Sequence, residues 1–156
     1  MLEPTDWSLS LRTSGRYHRG LDLFPPEQTW PALYTSLSPE IAIWEIVRRS
    51  AARTLGYLAN NLLSEIEVTL GRLVDLSEPT VAGLTLADLT GADHRLCQEI
   101  GAVATALGYR GLLVPSAALP GLNLVILARN LPEPSAMRVV SSVELPLDSL
   151  PQERPT

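Results

Sequence analysis

The sequence predicts an α+β domain: a mixed, mostly antiparallel sheet with a few helices. Three observations carry this. Short segments of period two follow one another without an intervening helix. Two stretches have helical spacing. Strand and helix do not alternate strictly, as they would in a doubly wound parallel sheet. At 156 residues, with 46% hydrophobic and 19% charged positions, the chain has the size and composition of one ordinary globular domain. The domain is expected over residues 1–150, followed by a polar, proline-containing tail over 151–156.

The elements follow in order. Trp7 to Arg12 alternate apolar and polar and predict a short strand. TSGRYHRG then gathers Arg16, Tyr17, His18 and Arg19 between turn residues, and the proline-rich LDLFPPEQTWP predicts an ordered loop. Ala32 to Thr35 is β-prone. Ser38 is a good N-cap and Pro39 suits the first helical position, so a helix is expected from Pro39, running to about Gly56. At 100° per residue with Ile41 at zero, Glu45 falls at about 40°, beside Arg48 and Arg49, whereas Ala42, Ile43, Trp44, Ile46 and Val47 fall between about 100° and 300°. Glu45 is therefore not a core position by pattern and faces either solvent or a cleft.

From Ser64 the period becomes two: Ile66, Val68 and Leu70 share one face of a half-exposed strand. RLVDLSEP predicts a second short strand and LTLADL one helical turn. From Asp93 to Leu107, Leu96, Ile100, Val103, Ala104 and Leu107 recur at helical spacing, and Gly108 is a natural terminator. GLLVPS reads as a buried strand stopped by Pro115. LNLVILAR and MRVVSSVEL are the last two strands.

Composition excludes several function classes. The net charge is −5, which argues against a broad nucleic-acid surface. All twelve basic residues are arginine, so Schiff-base chemistry and a P-loop lysine are excluded. No apolar run approaches a membrane span and MLEPTDWSLS lacks signal-peptide features, so a cytoplasmic protein that does not engage a membrane is expected. The two histidines and single cysteine have no metal-ligand spacing, and no metal is expected. Cys97 reads as a small buried apolar group, not a nucleophile. With aromatics at 5%, the core is expected to be mostly Leu, Val, Ile and Ala.

What remains is a set of polar residues at structural breaks, each with two readings. Arg16 is a phosphate clamp or a solvated loop arginine. Tyr34 is a site residue or half-buried core. Glu45 faces a cleft or pairs with Arg49 on the helix surface. Ser116, after a buried strand and a proline, binds a ligand or caps a turn. His18 reads as an exposed loop histidine.

Taken in order, GRYH, ALYTSLSPEIAIWE, GYRGLLVPSA and LNLVIL resemble the RES domain, a family named for an arginine, a glutamate and a serine and similar to the toxin halves of Res–Xre toxin–antitoxin pairs. The resemblance spans roughly the whole chain. It places the family arginine on Arg16, the strand-end tyrosine on Tyr34, the helix glutamate on Glu45, the serine on Ser116 and the following asparagine on Asn123. One departure stands out: many members read G-R-Trp-Asn-x-Pro-Gly, whereas this chain has GRYHRGLDLFPPEQ, with His18 in place of the asparagine.

The resemblance implies a fold like that of ADP-ribosyltransferase toxins and NAD⁺ as substrate, cleaved at the nicotinamide–ribose bond by hydrolysis or, with inorganic phosphate as co-substrate, by phosphorolysis. Arg16, Glu45 and Ser116 would be catalytic. Arg16, Tyr17, Tyr34, Ser36, Ser116 and Asn123 would contact substrate. It also implies an Xre-like helix-turn-helix antitoxin as partner, oligomeric with this chain, with DNA contact left to the antitoxin. Two rivals stay open: a silent RES-fold binding module, and ADP-ribosyl transfer to a protein acceptor.

Overall fold

The computed structural model describes residues 3–50, 54–58, 60–133, 136–145 and 147–149. Its main sheet has four strands in the order β1-β5-β4-β3, where β1 is Leu33–Ser36, β3 Leu73–Asp75, β4 Gly111–Pro115 and β5 Leu122–Ile126. β5 runs antiparallel to both β1 and β4, and β3 is parallel to β4. A second, two-stranded antiparallel sheet joins β2 (Leu62–Val68) to β6 (Met137–Glu144). The helices are α1 (Pro39–Arg49), the single turn α2 (Leu86–Thr90) and α3 (Arg95–Ala106). The expected α+β class and the mostly antiparallel pairing are borne out. The tail expected over 151–156 lies outside the described residues. None of the described helices is long and apolar enough to cross a membrane.

The central strands β4 and β5 carry the core, since Leu112, Val114, Val125 and Ile126 are fully buried. Tyr17, Trp30, Leu89, Cys97 and Leu127 close around them. A second cluster packs Ile43, Trp44 and Val47 of α1 on Leu55, Leu58 and Ala118. Aromatics are few, as the composition says, yet Tyr17, Trp30 and Trp44 stand at the centre of these clusters.

Three expectations are corrected. Trp7 to Arg12 is not a strand: Ser8–Leu11 form a 3₁₀ turn. The Ser10 hydroxyl donates to the Trp7 carbonyl at 2.6 Å and the Asp6 carboxylate accepts the Ser8 N–H at 2.8 Å, local bonds that compete with a sheet ladder. α1 starts as expected, with the Ser38 hydroxyl accepting the Ile41 N–H, but ends at Arg49, well before Gly56. Ser50 turns extended and donates its hydroxyl to the Val47 carbonyl at 2.9 Å, and Leu55–Leu58 form a separate 3₁₀ turn. The last correction shortens β5, which leaves the ladder after Ile126 for a 3₁₀ turn at Ala128–Asn130.

The apolar repeat that predicts α3 is not the face that packs. Leu96, Val103 and Leu107 are 41%, 55% and 59% exposed, whereas Cys97, Gly101, Ala104 and Thr105 are buried. The reason is a close approach. A Cβ on Gly101 would stand 2.0 Å from the Tyr17 carbonyl oxygen, so α3 meets the chain at Tyr17 through its small residues and turns its larger ones outward.

Candidate functional site

The site lies at one end of the main sheet. There β1 ends at Ser36, β5 begins beside Asn123, β4 ends at Pro115, and α1 departs after Ser38. Glu45 on α1 is the convergence point. It is only 8% exposed, so the cleft reading holds and the solvent reading does not. Its Oε1 accepts three bonds: from the Ser116 hydroxyl at 2.7 Å, the Asn123 side-chain amide at 2.7 Å and the Ala117 N–H at 3.2 Å. Ser36 donates to the Asn123 Oδ1 at 2.6 Å, which leaves the amide nitrogen turned toward Glu45. Arg48 donates to Oε2 at 3.2 Å. The expected i,i+4 pair with Arg49 is replaced by this i,i+3 pair.

Burial pushes the Glu45 carboxyl up, but the hydrogen bonds from Ser116 and Asn123 and the charge of Arg48 outweigh it, and the pKa lies below the usual glutamate value. Glu45 is thus a fixed anion at neutral pH. Oε1 is committed to the protein. Oε2 takes one N–H from Arg48 and keeps capacity for a sugar hydroxyl or a developing cation.

The Ser116 hydroxyl has no capacity left. It donates to Glu45 and accepts from the N–H groups of Ala118 at 3.0 Å and Leu119 at 3.3 Å. The turn reading is the one the geometry shows: the Ser116 hydroxyl caps the turn by accepting from Ala118 and Leu119, and its own O–H is spent on orienting Glu45.

Two hollows meet at Glu45. The larger is a cleft of about 330 Å³ between α1, the end of β1 and the second sheet. Ala42, Glu45, Ile46 and Arg49 line it from one face of α1, and Leu58, Asn61, Leu62, Leu63 and Leu145 close the other side. The smaller is a notch beside Arg16, Arg48 and Arg49, sharing Tyr34, Glu45, Arg49 and Asn123 with the cleft. Three arginines and one carboxylate line it, and the Arg48 Nε is buried with no hydrogen-bond partner among the described residues. The same three arginines add to burial in holding the His94 pKa down. An apolar cleft beside a cationic notch suits a ligand with a flat ring at one end and phosphates at the other.

The remaining candidates divide. Arg16 is 7% exposed and not solvated; it donates to the carbonyls of Gly91 at 2.6 Å and Thr90 at 3.3 Å, which fixes the guanidinium at the end of α2 and leaves further N–H groups for the notch. Tyr34 lines both hollows, with the Arg49 guanidinium 5.0 Å from its ring centre. Burial pushes its hydroxyl up to about 12. The Tyr17 ring packs in the core and its hydroxyl reaches toward the Leu89 carbonyl at 3.4 Å, so what Tyr17 brings to the site is its backbone N–H, which donates to the Tyr34 hydroxyl at 2.8 Å. Ser36 acts on Asn123. His18 is not exposed: at 3% exposure it lies under Tyr34. Cys97 is fully buried, as read from the sequence, and burial raises its thiol pKa.

Sequence reasoning did not single out Arg48, Arg49, Asn61 or the apolar wall. A signal existed. Ala42, Glu45, Ile46 and Arg49 stand at i, i+3, i+4 and i+7, a second stripe on α1 beside the one that enters the core.

Residues 4–148 match the RES domain. The chain belongs to the RES domain family. It is 31% identical over 130 residues to the NAD(+) phosphorylase MbcT of Mycobacterium bovis and, equally, of Mycobacterium tuberculosis, covering 77% of this chain and 68% of the relative. Among solved structures it is similar to a chain of the M. tuberculosis MbcT–MbcA toxin–antitoxin complex, with a TM-score of 0.77 and 26% identity over 94% of this chain and 80% of that one.

Proposed function

We propose that this RES domain cleaves NAD⁺ at the nicotinamide–ribose bond, with inorganic phosphate as the acceptor. The observation that carries the reading is the ionised, three-fold hydrogen-bonded Glu45 at the junction of an apolar cleft and a three-arginine notch. The bond to nicotinamide breaks through an oxocarbenium-like state, and a fixed carboxylate beside the ribose stabilises the positive charge that develops. The C1′–N bond electrons leave with nicotinamide, a phosphate oxygen bonds to C1′, and the products are nicotinamide and ADP-ribose 1″-phosphate.

Each residue has a part in this. Arg16, Arg48 and Arg49 hold the pyrophosphate and draw in the acceptor phosphate. Tyr34 offers its ring face. Ser116, Asn123 and Ser36 orient Glu45, and Tyr17 holds Tyr34 through its N–H. The phosphorylase name of the relatives favours phosphate over water. By the same likeness, the chain works in the cytoplasm as a toxin and is held silent by an antitoxin, which we read as an Xre-like helix-turn-helix protein that covers the cleft.

An NAD⁺ consumption assay on purified protein, with and without inorganic phosphate and beside Glu45→Gln, tests this. Loss of NAD⁺ that requires phosphate is the expected result. Loss without phosphate means hydrolysis. No loss from folded protein overturns the reading in favour of a protein acceptor or a silent binding module.

A further inference from the structure

The loop 15–18 buries His18 behind Tyr34, and the proposed reaction gives His18 no part. His18 places Nε2 at 2.8 Å from the Ser10 carbonyl and 2.9 Å from the Thr13 carbonyl. Carbonyls only accept, so Nε2 carries the proton and, in the neutral ring, Nδ1 is an acceptor. Nδ1 lies 2.9 Å from the Tyr34 hydroxyl, which also accepts the Tyr17 N–H at 2.8 Å. With the ring neutral, the orientation that satisfies each of these groups has the Tyr34 O–H donating its hydrogen bond to His18 Nδ1. Packing holds the pair in this arrangement: a Cβ on Gly15 would stand 2.5 Å from the His18 ring and 2.7 Å from the Tyr34 hydroxyl, so no side chain fits there.

We infer that His18 is a positioning residue: as the Nε2–H tautomer it accepts the Tyr34 O–H hydrogen bond on Nδ1 and thereby fixes the Tyr34 ring between the cleft and the arginine notch. Two consequences follow. Tyr34 has no hydroxyl proton to give a ligand and serves through its ring. The ring's angle, which also seats the Arg49 guanidinium, is set from behind by His18. The effect on turnover rests on the NAD⁺ reading; the tautomer and the hydrogen bond do not.

The experiment therefore has two arms. In the first, ¹⁵N-histidine-labelled protein is examined by long-range ¹H–¹⁵N correlation near neutral pH, with His94→Gln assigning the two histidines. Protonated Nε2 and bare Nδ1 at His18 are expected. The opposite tautomer, or a ring exchanging between the two, overturns the inference whether or not NAD⁺ is the substrate. The second arm is a double-mutant cycle on kcat/KM for NAD⁺ with His18→Phe and Tyr34→Phe. Each single change should cost about tenfold, the scale of one buried hydrogen bond, and the double variant should be no worse than either. His18→Asn, whose amide offers both a donor and an acceptor, should recover most of the loss, and it carries this arm if His18→Phe does not fold. Losses that multiply in the double variant, or a His18→Asn that folds but recovers nothing, would show that His18 does not act through Tyr34.

Discussion

Ser116 and Glu45 are joined by a 2.7 Å hydrogen bond that ties the turn after β4 to the second turn of α1. Neither element places the carboxylate alone. The helix brings Glu45 to the sheet end, and the turn, through Ser116 and the Ala117 N–H, decides where its Oε1 points.

Replacing Glu45 by Gln removes the charge and keeps the shape. NAD⁺ turnover should fall on the order of 100-fold or more, as when a preorganised group facing developing charge is lost. The circular dichroism spectrum should be unchanged. A folded variant with wild-type turnover would remove Glu45 from the chemistry.

Glu45 also makes stability depend on pH. Its folded pKa is depressed below 4.5, so its contribution is present above the unfolded value and is lost as pH falls through the folded one. The wild-type protein should therefore lose more stability between about pH 5 and the acid limit than Glu45→Gln does. Urea midpoints across that range check it; parallel curves would show that the carboxylate is not stabilised in the fold.

Ser116→Ala removes the donor to Oε1 and the acceptor for two backbone N–H groups. A cost of about 1–3 kcal/mol in unfolding free energy is expected, together with a fall in kcat larger than any rise in KM, because the serine acts by orienting Glu45. A rise in KM alone would instead put the hydroxyl on the substrate.

Arg48→Gln and Arg49→Gln should each raise the KM for NAD⁺ or for phosphate roughly tenfold or more, the scale of a lost charge-assisted bond. Added salt should weaken the wild type more than either variant. Saturation curves at two ionic strengths decide this, and an unchanged KM in both variants would remove the notch from phosphate binding.

Gly101→Ala tests the packing of α3. The added methyl would meet the Tyr17 carbonyl at 2.0 Å, so α3 must move off the site loop. A loss of about 1–3 kcal/mol or more is expected by thermal or urea unfolding. A variant as stable as the wild type would mean that this approach is looser than the structure shows.

Local features could be read from neighbouring residues alone. The Ser38–Pro39 start of α1, the strands from β1 onward and the segments carrying Arg16, Tyr34, Glu45, Ser116 and Asn123 were legible, because caps, periodicity and short motifs are written in neighbouring residues, although the alternation at Trp7 to Arg12 misled. Tertiary structure decided which side chains meet and which are buried. His18 reads as exposed because loop histidines usually are, yet it is covered by Tyr34 and by the carbonyls of Ser10 and Thr13. The apolar stripe of α3 reads as a packing face, but the close approach at Gly101 admits only small residues. The arginine notch gathers Arg16 with Arg48 and Arg49 from a distant stretch of chain, and Glu45 becomes a fixed anion only when Ser116 arrives from the turn after β4 and Asn123 from β5. Burial and long-range hydrogen bonds depend on how the elements dock, and no window of sequence contains that information.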